Sequence, residues 1–131
     1  MPLLAKDFVV DRRQIAAAAN AGADAILLIA GILDAHQLEK FATYAINVGL
    51  DVLLELHAEQ EIGMARGLFD VLNSEQQAHV VVGINNRDLK TQTIDLATTK
   101  RLSAILRDSL PGVLLISESG IASRTDVQSL E

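Results

Sequence analysis

The sequence predicts an α/β fold, about five parallel strands alternating with helices, in a single domain over residues 1–131. Three observations carry this. Five short runs are almost wholly apolar: "PLLA" at 2–5, "AILLIA" at 25–30, "VLLEL" at 52–56, "VVVGI" at 80–84 and "VLLI" at 113–116. They do not alternate, which is how strands read when both faces are buried, as in a parallel sheet. Stretches of helical period separate them. Finally, "GADAILL" from Gly22 is echoed by "GLDVLLE" from Gly49; each reads helix stop, Asp, strand, one βα unit apart.

In chain order, the first strand ends at Ala5 and an Ala-rich helix follows over 12–21. After the second strand, Leu38, Phe41, Ala42, Ala45 and Val48 share one face of a helix over 34–48. Asp34 and Gln37 have capping-box spacing, and Gly49 is placed to end that helix. The third strand leads into a weaker helical pattern over 58–72, broken by Gly63 and Gly67. The fourth leads into a helix over 95–106 with Leu102, Ile105 and Leu106 on one side. After the fifth, a last helix starts at 123–131: Ser123 caps it, and Asp126 stands in the first turn, where the helix dipole favours negative charge. Such strict alternation means right-handed parallel crossovers. Two architectures satisfy it, a doubly wound sheet and part of a (β/α)8 barrel. The first strand is followed by "KDFVVD", which lacks the glycines of a nucleotide-binding loop and weighs against a nucleotide site.

Composition narrows the function. Half of the 131 residues are hydrophobic and 21% are charged, so the chain folds; aromatics are only 3%, so the core is aliphatic. A net charge of -6 argues against a nucleic-acid surface. No cysteine is present, which removes disulfides and thiolate metal sites. The apolar stretch over 25–33 is far short of the roughly 20 residues that span a bilayer. No basic segment and cleavage site follow Met1, so the expectation is a soluble, cytoplasmic protein.

The polar residues gather at strand exits. The first strand exits into Lys6 and Asp7; the third carries Glu55 and His57; the fourth exits into Asn85, Asn86 and Arg87; the fifth into Ser117, Glu118, Ser119 and Gly120. The second exits into Ala30 and Gly31, which carry no chemistry. In a parallel sheet all exits lie at one end, where α/β sheets and barrels carry their sites. Taken singly, each has a plain structural reading: Lys6 as a solvated strand end, Asn85 and Asn86 as turn formers, Ser119–Gly120 as an ordinary turn. Glu55 resists this, because a carboxylate in an apolar run is costly to bury unless paired or working. His36, His57 and His79 lack metal-ligand spacing. Together, a cation, a carboxylate, an amide and a Ser-Gly turn on one face suggest an acid/base site for an anionic substrate.

These segments also carry a family resemblance. "PLLAKDFVVD", "GADAILLIAGIL", "LLELH", "GINNRDLKT" with "IDL" shortly after, and "ISESGI", in this order, resemble indole-3-glycerol phosphate synthase along nearly the whole chain. The resemblance implies a (β/α)8 barrel and a carboxy-lyase of tryptophan biosynthesis. That enzyme converts 1-(2-carboxyphenylamino)-1-deoxyribulose 5-phosphate to indole-3-glycerol phosphate, carbon dioxide and water, without metal or organic cofactor. By motif, Lys6 resembles the general acid of ring closure and Glu55 the acid/base group of the later dehydration. Asn85 and Arg87 resemble substrate-positioning residues, and Glu118, Ser119 and Gly120 substrate and phosphate contacts, with phosphate on backbone amides or a helix N-terminus after Ser119. Phe8 and Leu27 would line the slot for the anthranilate ring.

The resemblance also sets an expectation about extent. A full barrel runs to about 250 residues. The matching segments are the family's third strand through the start of its seventh helix, five βα units of eight. The family's first two strands, with an early lysine and glutamate, and its eighth, with a Gly-Ser phosphate loop, lie outside them. An open five-stranded piece would leave two edges and an apolar inner face, which predicts self-association. A non-catalytic barrel fragment that folds by self-association is therefore the competing expectation. A neighbouring phosphosugar isomerase of the same pathway is a third, weighed against by "KDF" with "GINNRDL".

Overall fold

The computed structural model describes residues 1–130. Five strands form one parallel sheet in sequential order: β1 Leu4–Ala5, β2 Ala25–Ile29, β3 Asp51–Leu56, β4 Val80–Asn85 and β5 Leu115–Glu118. The helices are α1 Arg12–Asn20, α2 Ala35–Asn47, α3 Ile62–Val71, α4 Ser74–Gln77, α5 Ala97–Ser109 and α6 Arg124–Leu130. β1 and β5 each pair on one side only, so the sheet is open, as in part of a (β/α)8 barrel. Among the described residues no helix is long and apolar enough to cross a membrane.

Local chemistry explains the element ends. Asp11 caps α1 and Asp34 caps α2, each in a reciprocal box with the glutamine three residues on. The Asp34 carboxylate accepts from Gln37 N at 2.8 Å, and the Gln37 side chain accepts from Asp34 N at 3.1 Å. The two echoed glycines are equivalent in space: Gly22 and Gly49 both have φ +86°, a left-handed turn that stops a helix at no steric cost. Two expectations change here. Gly63 and Gly67 do not break α3, which runs through both because Ile62, Ala65 and Leu68 bury one continuous face. Val48 is 38% exposed, because α2 has ended and the chain has turned at that point. The short α4, opened by its own capping box at Asn73 and Gln76, had no apolar period to announce it. The last helix is present as α6; Glu131 lies outside the described residues.

Register sorts the strand residues into two faces. Ile26, Leu28, Val52, Leu54, Leu56, Val82 and Ile84 point to the helices and are at most 1% exposed. With Ile15, Leu38, Ala42, Ala45, Ala65, Leu68, Leu102 and Leu106 they form one core. Each fully buried aliphatic side chain contributes about 1.5–3 kcal/mol. The opposite face carries Leu27, Ile29, Leu53, Glu55, Val81, Gly83, Ile116 and Glu118. It is covered only near the middle: Leu27 and Ile29 are buried, whereas Ile116 is 42% and Leu114 63% exposed. Burial on both faces therefore holds for central strands and fails at β1 and β5, where Leu4 too is exposed, since an edge strand lacks one lateral neighbour.

Candidate functional site

The site sits at the C-terminal end of the sheet on its helix-free face. Ile29, Glu55 and Gly83 are level across β2, β3 and β4. One pleat higher, Asn85 is level with Glu118. Ala5 pairs with Ile26, so Lys6, the next residue, comes level with Leu27 and on the same face as Glu55. A period of two thus delivers cation, carboxylates and amide to one surface.

Lys6 Nζ stands 3.8 Å from Glu55 Oε2 and 3.5 Å from Glu118 Oε2. Asn85 Nδ2 donates to Glu55 Oε1 at 3.0 Å, and Asn85 Oδ1 accepts from Arg87 N at 2.9 Å. Glu55 is 2% exposed on the central strand. Glu118 leans over Gly83, where any Cβ would collide with Glu118 Oε1 and press Leu53 Cδ1 at 3.1 Å. The glycine in "VVVGI" is the space that lets two carboxylates share one lysine.

The two carboxylates are driven apart. Burial raises both. At Glu55 that is outweighed by His57, by the Asn85 amide and by Lys6, so its pKa lies below the usual value. At Glu118 burial is reinforced by the charge of Glu55, and Lys6 only partly offsets them, so its pKa is raised. Glu55 Oε2 and Glu118 Oε1 are buried without a hydrogen-bond partner among the described residues. Such pairs, pushed in opposite directions, are how a site holds an acid and a base together.

A cleft of about 470 Å³ opens above this cluster, lined by Lys6, Asp7, Phe8, Leu27, Ile29, Glu55, Asn85, Arg87, Leu89, Gln92 and Ser119. It has one apolar wall, from Phe8, Leu27 and Leu89, and one charged floor. Of the residues singled out from sequence, Lys6, Phe8, Leu27, Glu55, Asn85, Arg87 and Ser119 border it, and Glu118 reaches it through Lys6. Gly120 does not: a Cβ there would collide with Ile94, which places it against the connection after β4. That connection closes on itself through a bridge between Arg87 and Ile94. A cleft of about 490 Å³ at the other end of β4 and β5 holds no comparable convergence of charge.

The loop after β5 is held by Asn86, which is 2% exposed. Its Nδ2 donates to Ser117 Oγ, Glu118 O and Ser119 O at 3.0–3.2 Å. Its Oδ1 accepts from Thr99 N at 3.1 Å and Thr99 Oγ1 at 2.9 Å. Asn86 is thus the structural member of the Asn pair. Ser119 sits at φ +66°, an uncommon conformation for a residue with a Cβ, held in place by this clamp. Beyond it, the Asp126 carboxylate accepts from Ala122 N at 3.0 Å and Ser123 N at 2.8 Å, so two amides near the start of α6 are already satisfied. The sequence reading passed over Asn86, Gly83 and His57 as site-shaping residues. His57 has a usable signal, since it follows Glu55 by two positions just past the end of β3, where the alternation still puts the two on one side.

Comparison with known proteins places the sequence in a family. The profile of the family described as indole-3-glycerol phosphate synthase matches residues 1–131. A protein of that name from Lachnospira eligens is 42% identical over 99% of this chain. Others from Bacillus cereus and Bacillus mycoides are 44% and 42% identical over 97% of it. The chain spans about half the length of these curated relatives, 46% in each case. The family profile over the whole sequence and these identities lead to one conclusion: the chain belongs to the indole-3-glycerol phosphate synthase family.

Proposed function

We propose that this chain carries acid/base and ring-binding parts of an indole-3-glycerol phosphate synthase site, acting on 1-(2-carboxyphenylamino)-1-deoxyribulose 5-phosphate. The observation that carries the reading is Lys6 Nζ poised between Glu55 and Glu118 at the floor of a cleft with an apolar wall. Ring closure builds negative charge on a carbonyl oxygen. Lys6, as an ammonium, donates a proton there, and the two carboxylates behind it hold it in place. The ring carbon that bears the carboxylate forms the new bond to the carbonyl carbon, and loss of carbon dioxide from that same ring carbon restores aromaticity. Dehydration needs a base for the proton lost from the new ring and an acid for the departing hydroxyl. Glu55, held ionised, serves as that base. Phe8 and Leu27 pack the anthranilate ring, Asn85 and Arg87 orient the substrate, and Ser119 meets its phosphate, with Gly120 completing the turn behind it. The test is direct: incubate the purified chain with this substrate and follow indole fluorescence. Product formation is expected; its absence at high protein concentration overturns turnover by this chain alone.

A second reading is a non-catalytic barrel piece that self-associates. It is favoured by the unpaired outer sides of β1 and β5 and by Leu114 and Ile116, which are 63% and 42% exposed beside the β5 edge.

A further inference from the structure

We propose that His57 is a positioning residue that aims the Glu55 carboxylate, and that His57 is itself held by a support running from Gly31 through Glu61. His57 Nε2 is 2.9 Å from Glu55 Oε1, and the His57 side chain is 8% exposed. Among the described residues neither ring nitrogen has an aligned hydrogen bond, and the approach of Nε2 to Glu55 is a close polar contact inside the fold. Behind the ring, Glu61 Oε2 is 4.0 Å from Nδ1 and accepts from His57 N at 2.7 Å. Glu61 in turn lies against Gly31, where a Cβ would come within 2.7 Å of its Oε1. The exit of β2, chemically blank in sequence, is thus blank to admit Glu61.

The groups facing Glu55 are Lys6 from β1, His57 from β3, Asn85 from β4 and Glu118 from β5. Glu55 and Glu61 lie within 4.0 Å of the His57 ring, and the second cleft that His57 borders carries Glu59, Asp88, Asp95 and Arg101. Lys6 is 60% exposed and screened by water, whereas His57 is enclosed. A polar group enclosed with the carboxylate acts on it through less water than an exposed one does. This inference rests on the acid/base role proposed for Glu55, but its test needs no turnover.

The whole chain, labelled with ¹³C at glutamate carboxyls, is titrated by NMR without substrate. In the native chain Glu55 should titrate below the usual glutamate value. His57→Leu should move that midpoint up by about one pH unit, a tenfold weaker acid. His57→Gln, whose amide nitrogen takes the place of Nε2, should leave it nearly unchanged, and His57→Asn, too short to reach, should behave as His57→Leu. If His57→Leu does not fold, the Gln and Asn variants decide. Equal midpoints in native, Leu and Asn chains, or an equal shift in Gln and Asn, overturn the proposal. Failure here leaves the turnover assay standing, and failed turnover leaves this titration interpretable.

Discussion

Lys6 illustrates how little a single position reveals and how much its neighbours add. Its side chain is 60% exposed, so its contacts with Glu55 and Glu118 contribute little to stability, about 1 kcal/mol or less. The role proposed for it rests on its placement over Glu55 Oε2 and Glu118 Oε2. Where turnover is measured, Lys6→Ala should lower kcat by about 10²–10⁴-fold while the chain stays folded; an unchanged rate rejects the role. The carboxylates make a second prediction. Glu55 is held below its ordinary value of 4.5, so its contribution to stability is present above that value and is lost as pH falls through its folded pKa. Glu118 is held above 4.5. Protonated Glu118 is favoured in the folded chain, so its contribution is full below 4.5 and is lost as pH rises through its folded pKa. Urea midpoints should therefore fall on both sides of that region. Glu118→Gln should abolish the alkaline decline and keep the acid one; a decline that persists in this variant assigns it elsewhere.

At the scale of elements, strands and helices were legible where apolar period and capping chemistry agreed. The pair Asp34 and Gln37 and the glycine at 49 bounded α2 correctly because each acts through its own backbone. α3 was under-read: two glycines cost helix propensity, but the buried face of Ile62, Ala65 and Leu68 overrides about 2 kcal/mol of such cost. The element hardest to read was the connection from β4 to α5, since its order comes from Asn86 reaching β5 and α5, residues 13–33 positions away. Asn86→Ala should cost about 2–3 kcal/mol, because it strands several buried polar groups at once. Chemical denaturation checks the loss, and amide exchange should quicken first at Ser117 to Ser119. A cost below about 0.5 kcal/mol would mean the clamp is incidental.

At the scale of the whole molecule, an open five-stranded sheet has covered only its helix-facing side. The inner face is apolar along the strands and charged at their C-terminal end, with both edges unpaired among the described residues. Light scattering should give a mass above the 14.1 kDa of one chain, falling toward it on dilution. A mass of one chain at all concentrations would mean that the edges are tolerated within a single copy. Sequence by itself determined the alternation of strand and helix, the end of the sheet at which chemistry gathers, and the family, since all three depend on local period and ordered motifs. Only the tertiary structure decided which polar residues meet at the cleft and which brace a loop. Glu55 and Glu118 meet because Gly83 leaves room, His57 is enclosed because Glu61 fits against Gly31, and Asn86 turns away to clamp a loop. These are contacts between residues distant in the chain, and they exist only once parallel register has set them level. "KDF" opens a site whose floor is assembled from three later strands.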